Sequence, residues 1–295
     1  MSAARTNVKN YKVMQQAVNI RNWARLCITV LIALVTVSSF AGASVEVDGS
    51  LVRASNVARG ESTQELIVLV NRGSEPAAVH LYLEDYHYEL GQNYYYEAGT
   101  TERSNAAWIE LPGSVVTIPP GERVVVPIRI TVPDDPNLSG SYWTVLMVQP
   151  LQAEELEVAD QQADEITLRI RNVFRYGIQI ITNVAGSGTP SLVFENPRVI
   201  RDAETNALTF EVSVRNTGDL WINPQLWIDL YGAAGARVGR YEEGRARRLL
   251  PGTSVISRIT LPAVEAGQYT ALLVANDDTS EDVFGVQYRL EVPGR

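Results

Sequence analysis

Apolar and polar residues alternate in short runs along most of this chain, and the runs are separated by Gly, Pro, Asn and Asp. Alternation with period two is the pattern of strands that bury one face. Residues 64–71 (QELIVLVN) read as a buried strand ending at the turn Asn71-Arg72-Gly73-Ser74-Glu75-Pro76. Residues 78–89 follow, with Val79, Leu81 and Leu83 on one face and His80, Tyr82, Glu84, Tyr86 and Tyr88 on the other. Residues 91–105 read as a polar loop carrying tyrosines, after which Trp108-Ile109 brings the chain back to the core. Further strands are expected at 115–119, at 123–132, where Pro127 favours an edge or a bulge, and at 142–149 (YWTVLMVQ). The longest patterned stretch is residues 165–182. There Ile166, Leu168 and Ile170 oppose Thr167, Arg169 and Arg171, and a second apolar run continues from Phe174 to Ile181.

The second half repeats this grammar. Runs at 192–200, 208–215, 220–231 (broken at Pro224), 237–248, 255–261, 267–275 and 283–292 give about seven strands. Each half has a strand ending in Asn, a Gly-containing turn, and Pro-Gly before a Val/Ile strand (Pro120-Gly121 and Pro251-Gly252). No stretch has the period of an amphipathic helix. The fold class is therefore all-β, two immunoglobulin-like β-sandwich domains after an N-terminal signal peptide. The domains are expected at 44–183 and 191–295, joined by a linker at 184–190 (VAGSGTP). A chain of 295 residues is long enough for each half to bury its own core.

The N-terminus changes the charge arithmetic. Arg21 and Arg25 precede an uncharged run at 26–40, and Ala41-Gly42-Ala43 has the small-x-small form of a cleavage site. Residues 1–43 thus read as a secretory signal cleaved after Ala43. The apolar run is shorter than the ~20 residues of a spanning helix, so no stable membrane span is expected after cleavage. The expected location is the periplasm, the cell surface or beyond. Residues 1–43 hold five of the 25 basic residues and none of the 34 acidic ones, so the remainder carries a net charge of −14. Such a chain is not built to neutralise phosphates, and no nucleic-acid partner is expected. The single cysteine, Cys27, lies within the signal, which leaves no thiol chemistry after cleavage.

Signatures of catalysis are sparse. His80 and His87 are the only histidines, and their odd separation on one strand points them to opposite faces, away from a shared metal. No nucleophile elbow and no phosphate-binding glycine loop is present, and the acidic run at 277–282 lacks EF-hand spacing. The reading is of a protein that is not an enzyme and needs no metal or cofactor.

Three surfaces stand out as binding candidates. One is a tyrosine-rich face with Tyr82, Tyr86, Tyr94, Tyr95 and Tyr96, suited to a glycan or a protein surface. Another is the arginine-rich run with Arg237, Arg240, Arg245, Arg247 and Arg248, read as a solvated hairpin paired with Glu242 and Glu243. The third is the strand from residue 165, whose row Ile166, Leu168 and Ile170 is flanked by Arg169 and Arg171. It can close a sandwich and also offer an edge to another chain.

Trp108-Ile109, then Pro119-Pro120-Gly121-Glu122, then ITLRIRNVFRYG at 166–177 resemble the periplasmic pilus-assembly chaperones and the broader set of fimbrial-biogenesis-like envelope proteins. The resemblance is clearest over 55–183, and the second domain is similar in general grammar only. It implies two sandwiches set as a boomerang, with a closing strand that lends alternating side chains to an incomplete fibre subunit. Two basic residues in the cleft would hold that subunit's terminal carboxylate. Ile166, Leu168 and Ile170 match the lending positions and Arg171 one of the basic ones. The other falls on Ser55 or Asn56, neither of them basic, with Arg59 placed in the following turn. The resemblance thus implies a chaperone-like protein assisting assembly of pilus or other surface subunits by β-strand pairing. The alternative is a structural or adhesive envelope module that uses its tyrosines.

Overall fold

The computed structural model describes residues 45–151, 174–243, 248–262, 264–277, 280 and 282–294. Apart from one 3-10 turn (Ala106–Trp108), its regular elements are strands. In the first half these are β1 (Val45–Asp48), β2 (Val52–Val57), β3 (Ser62–Asn71), β4 (Ala77–Glu89), β5 (Gln92–Glu97), β6 (Ile109–Glu110), β7 (Val115–Ile118), β8 (Arg123–Thr131), β9 (Ser141–Leu151) and β10 (Tyr176–Val184). The second half has β11 (Leu192–Arg201), β12 (Leu208–Asn216), β13 (Pro224–Tyr231), β14 (Arg237–Glu242), β15 (Ser254–Thr260), β16 (Gly267–Asp277) and β17 (Val283–Val292).

Four sheets make two sandwiches. The first packs β1-β3-β8-β6 on β2-β10-β9-β4-β5, with β7 attached to β4. The second packs β11-β12-β15 on β14-β13-β16-β17. The orders correspond strand for strand, with β3, β4, β5, β8 and β9 in the places of β12, β13, β14, β15 and β16. Alternation decides which side chains go inside. Ile67, Leu69, Leu81, Ile128, Ile130, Leu146, Ile178 and Ile180 fill the first core, and Phe210, Val212, Ile228, Leu230, Ile259 and Leu273 the second. Full burial of each such side chain contributes about 1.5–3 kcal/mol.

The shared Asn-turn-Pro-Gly grammar has a physical basis. Asn71 is fully buried; its Nδ2 donates to the carbonyls of Glu75 (2.7 Å) and Ile118 (3.1 Å), and its Oδ1 accepts from the Gly73 amide (2.9 Å). Asn216 repeats the arrangement with Leu220 (2.7 Å), Leu249 (3.0 Å) and Gly218 (2.9 Å). Each backbone amide also donates to the carbonyl of the residue after the Pro-Gly turn, Glu122 or Thr253, both at 3.0 Å. In each sandwich this one asparagine thereby ties its own turn to the Pro-Gly loop.

The structure departs from the sequence reading in places. Residues 92–97, read as loop, form β5, hairpinned to β4 through Leu90 (φ +49°) and Gly91 (φ +92°). That is the geometry of a two-residue type I′ turn, and a leucine rarely occupies it. At Pro127, β8 has β3 on one side and, among the described residues, no strand on the other, because β6 reaches only Arg129. The long strand expected from residue 165 is described only from Tyr176 on; the site residues Ile166, Leu168, Arg169, Ile170 and Arg171 lie outside the described residues.

The segment between the sandwiches is held along its length. Val184 still belongs to β10, Ala185 N donates to Val57 O, Asp219 N donates to Thr189 O, and Thr217 N donates to Ser191 O. The glycines there allow close approach. A Cβ on Gly188 would sit 2.8 Å from the Gly140 Cα, and one on Gly140 (φ +77°) would strike the Asp219 carbonyl.

Candidate partner-binding site

Three elements converge at the junction of the sandwiches. The strand β10 pairs antiparallel with β9 over its length, but with β2, in parallel, only from Gln179 to Val184. Among the described residues, its first three positions therefore keep one edge open.

On the outer face beside that edge, β4 presents a row of polar and aromatic side chains. Arg175, just ahead of β10, donates to the Tyr82 hydroxyl at 3.0 Å, lies 3.6 Å from Glu84, and sits 5.9 Å from the Tyr95 ring centroid. These partners raise the Arg175 pKa, the Tyr82 hydrogen bond foremost, and keep its charge fixed. Tyr82 donates to Gln149 at 3.1 Å and stacks on His80 at 5.0 Å. Tyr86 packs on Tyr95 (5.3 Å) and Tyr88 (5.6 Å), and its carbonyl accepts from Trp143 Nε1 at 2.6 Å. Burial pushes the Tyr86 and Tyr88 hydroxyls up, so both stay protonated at neutral pH.

The five tyrosines expected on one face are divided by the strand geometry. Tyr95 faces Tyr86 and the Tyr82 side, whereas Tyr94 and Tyr96, alternating with it, project from the opposite face of β5. Tyr82 and Tyr86 are tied into the protein, and Tyr94, Tyr95 and Tyr96 stand 40–47% exposed.

Tyr88, by contrast, is buried against the second sandwich. Its hydroxyl donates to the Arg248 carbonyl and accepts from the Leu250 amide at 3.1 Å. Together with Trp143 and Ile181 it belongs to the hydrophobic cluster of the second core. The β4–β5 turn reaches across as well, Leu90 N donating to Ser254 O at 2.9 Å. This docking accounts for the unusual positive φ at Leu90, since the amide it aims has a partner across the junction.

The cleft also holds a basic residue that the sequence reading had grouped with a solvated hairpin. Arg248 donates to Gln179 of β10 at 3.1 Å and lies 5.4 Å from the Trp221 ring centroid. Nothing in its sequence spacing separates it from its arginine neighbours; only the tertiary path does. Arg237 and Arg240 do line a hairpin, but they close on Asp229 of β13 (2.7 and 2.8 Å) instead of Glu242 and Glu243. Arg245 and Arg247 lie outside the described residues.

At the positions compared with the second cleft cation, Ser55 is opposite Thr182 and Asn56 opposite Asn183. Asn183 Nδ2 donates to Asn56 Oδ1 at 2.8 Å. Arg59 donates to the Leu138 carbonyl and so holds a turn. A polar cavity of about 550 Å³ opens beside the Asn pair, lined among others by Ser187, Trp221, Asp277 and Asp282. No group of three or more His, Cys, Asp or Glu suited to a metal ion occurs among the described residues. No described helix is long and apolar enough to cross a membrane.

Topology and junction together define a two-domain, immunoglobulin-like β-sandwich protein whose sandwiches meet along the β4, β9 and β10 ends. No family model and no curated protein matches the sequence. Solved structures of similar architecture include pilus chaperones. A chain of the chaperone–tip adhesin complex of CFA/I fimbriae is 11% identical, with a TM-score of 0.48, covering 85% of this chain and 100% of that one. The class 5 fimbriae chaperone CfaA is 11% identical with a TM-score of 0.46, at the same coverages. A chain of the CsuC–CsuE chaperone–tip subunit pre-assembly complex of Acinetobacter baumannii is 13% identical, with a TM-score of 0.43, covering 84% and 98%.

Proposed function

We propose that this protein is an exported, non-enzymatic chaperone of the periplasm that assists assembly of surface-fibre subunits by lending them a strand. The observation that supports the reading is the half-open β10, which among the described residues is flanked on both sides from residue 179 but only by β9 over residues 176–178. In the sequence, the segment holding Ile166, Leu168 and Ile170 comes shortly before β10. Strand addition needs this combination: an open backbone edge gives affinity, and alternate apolar side chains fill the gap in an incomplete partner. Arg171 is assigned to the partner's terminal carboxylate. With Ser55 and Asn56 uncharged, the second cation in this reading is Arg248, held in the cleft by its contact with Gln179.

Photocrosslinking from residue 168 in the exported chain should capture fibre subunits. Leu168→Asp and Arg171→Ala, made separately, should each reduce co-purification of those subunits by about tenfold or more, without a change in melting. Unchanged co-purification with both variants would end the reading.

A second reading, an adhesive module, is favoured by the exposure of Tyr94, Tyr95 and Tyr96. It requires glycan-array binding that disappears when these three are changed to alanine.

A further inference from the structure

A strand at the edge of a sheet invites pairing with another chain unless something blunts it. Most described edges here carry such a device. On β1, Glu46 and Asp48 are ion-paired to Arg72 and Arg123. The register of β11 is broken between Glu195 and Arg198, around Pro197. Two arginines locked on Asp229 lie on β14, β15 carries Arg258 locked on Glu211 of β12, and β17 carries Arg289 and Glu291. β6 is only two residues long.

β5 is different. Its sequence QNYYYE has one charge, at the end, and neither proline nor bulge, and all six residues are exposed. Among the described residues its only strand neighbour is β4. The two-residue turn fixes which backbone groups are committed. Pairing of Glu89 with Gln92 directs the Gln92, Tyr94 and Tyr96 amides and carbonyls to β4, which leaves those of Asn93 and Tyr95 facing outward.

We propose that β5 pairs antiparallel with β5 of a second copy of this chain, about a two-fold axis at Tyr95. Among registers centred on an outward-facing residue, charge and the turn select this one. Centring on Tyr95 sets Asn93 opposite Glu97, amide against carboxylate, and Tyr94 opposite Tyr96. Centring on Glu97 would oppose two carboxylates, and centring on Asn93 would run each strand into the other's Leu90-Gly91 turn. In the chosen register the two Tyr95 rings meet on one face, each already backed by Tyr86 at 5.3 Å, and the Tyr94–Tyr96 pairs meet on the other. Cross-strand aromatic pairs of this kind stabilise sheets. A six-residue strand buries less than a permanent dimer needs, so association is concentration-dependent. Two acidic copies repel, so association strengthens as salt rises. The proposal uses none of residues 166–171 and stands apart from the chaperone reading.

Tyr95→Cys in a Cys27→Ser chain places single thiols at the axis, with Cα atoms about 5.5 Å apart, inside the disulfide range. Under mild oxidation it should give disulfide dimers about tenfold faster than Leu66→Cys, an exposed control on the other sheet. A mixture of Tyr94→Cys and Tyr96→Cys chains should cross-link, and Tyr94→Cys alone should match the control. Tyr95→Pro removes an outward-facing amide and the exposed ring but no backbone bond to β4, so it should abolish the wild-type dimer seen by sedimentation while leaving the far-UV circular dichroism unchanged. Equal rates for Tyr95→Cys and Leu66→Cys, or a dimer that survives Tyr95→Pro, would overturn the proposal; capture of β5 by a fibre subunit in place of a second copy would overturn it as well.

Discussion

The β4–β5 and β13–β14 hairpins occupy the same place in the two sandwiches, each following a strand that ends in a buried asparagine. Their outer surfaces are nevertheless opposites. On β13–β14, Asp229 is buried and gripped by Arg237 and Arg240, and Arg240 lies 4.9 Å from the Trp227 ring centroid. On β4–β5 the corresponding strand carries exposed Tyr95 on the outer face and exposed Tyr94 and Tyr96 on the other, and the turn end is anchored on the neighbouring sandwich. A hairpin's inner face must satisfy the core, whereas its outer face is constrained only by what meets it. One copy is closed by charge; the other is left for contact, with the second sandwich at its tip and with solvent along β5.

The comparison rests on the two sandwiches sharing one frame, and the largest predicted effect tests that premise. Asn71→Ala and Asn216→Ala should each cost about 3 kcal/mol or more, because each strips partners from two carbonyls and an amide in and around a buried site. Urea titration should show losses of similar size for the two. A loss in one sandwich and tolerance in the other would mean that the common grammar is coincidental.

The next effect concerns the anchored tip. Tyr88→Phe removes a hydroxyl that donates to the Arg248 carbonyl and accepts from the Leu250 amide, with no change in shape. A cost of about 1–2 kcal/mol is expected, as for one buried group left partly unpaired. The loss should appear together with faster amide exchange at Leu90 and Leu250, both at the junction. Exchange that speeds up only within the first sandwich would assign Tyr88 to its own domain and remove the asymmetry between the hairpins.

The layered architecture was legible in the alternation because each strand has to bury one face. Val79 and Leu81 point into the core as their spacing requires, and Asn71 and Asn216 fall at matching places in a repeated pattern. The hairpin strand β5 was not legible. QNYYYE lacks the apolar face that marks a core strand, and its turn residue Leu90 adopts a conformation that leucine rarely takes. Nor could sequence predict that Tyr88 and Arg248, 160 residues apart, would meet in the junction. Tyr82 and Tyr88 share one strand face, yet the first is half-buried beside Arg175 and the second is covered by another domain. Period-two reasoning finds the face and says nothing of what comes to rest on it.

The smallest effect probes the closed hairpin through pH. The hydrogen bond from Arg240, with further contributions from Arg237, holds the Asp229 carboxyl down to about 2 from its ordinary 3.8. A carboxyl held low stabilises the fold above its unfolded value, and that stabilisation fades as pH falls from about 4 toward 2. Asp229→Asn should therefore cost about 1 kcal/mol at neutral pH, kept small because both arginines are about half exposed and screened by solvent. The difference from wild type should shrink through that window, and raising salt at pH 7 should shrink it too. Tyr95→Phe on the open hairpin alters no carboxylate, so its stability difference should hold constant over the same range. If Asp229→Asn gave an equally flat difference, the arginines would be bystanders, and the two hairpins would differ in packing and not in charge.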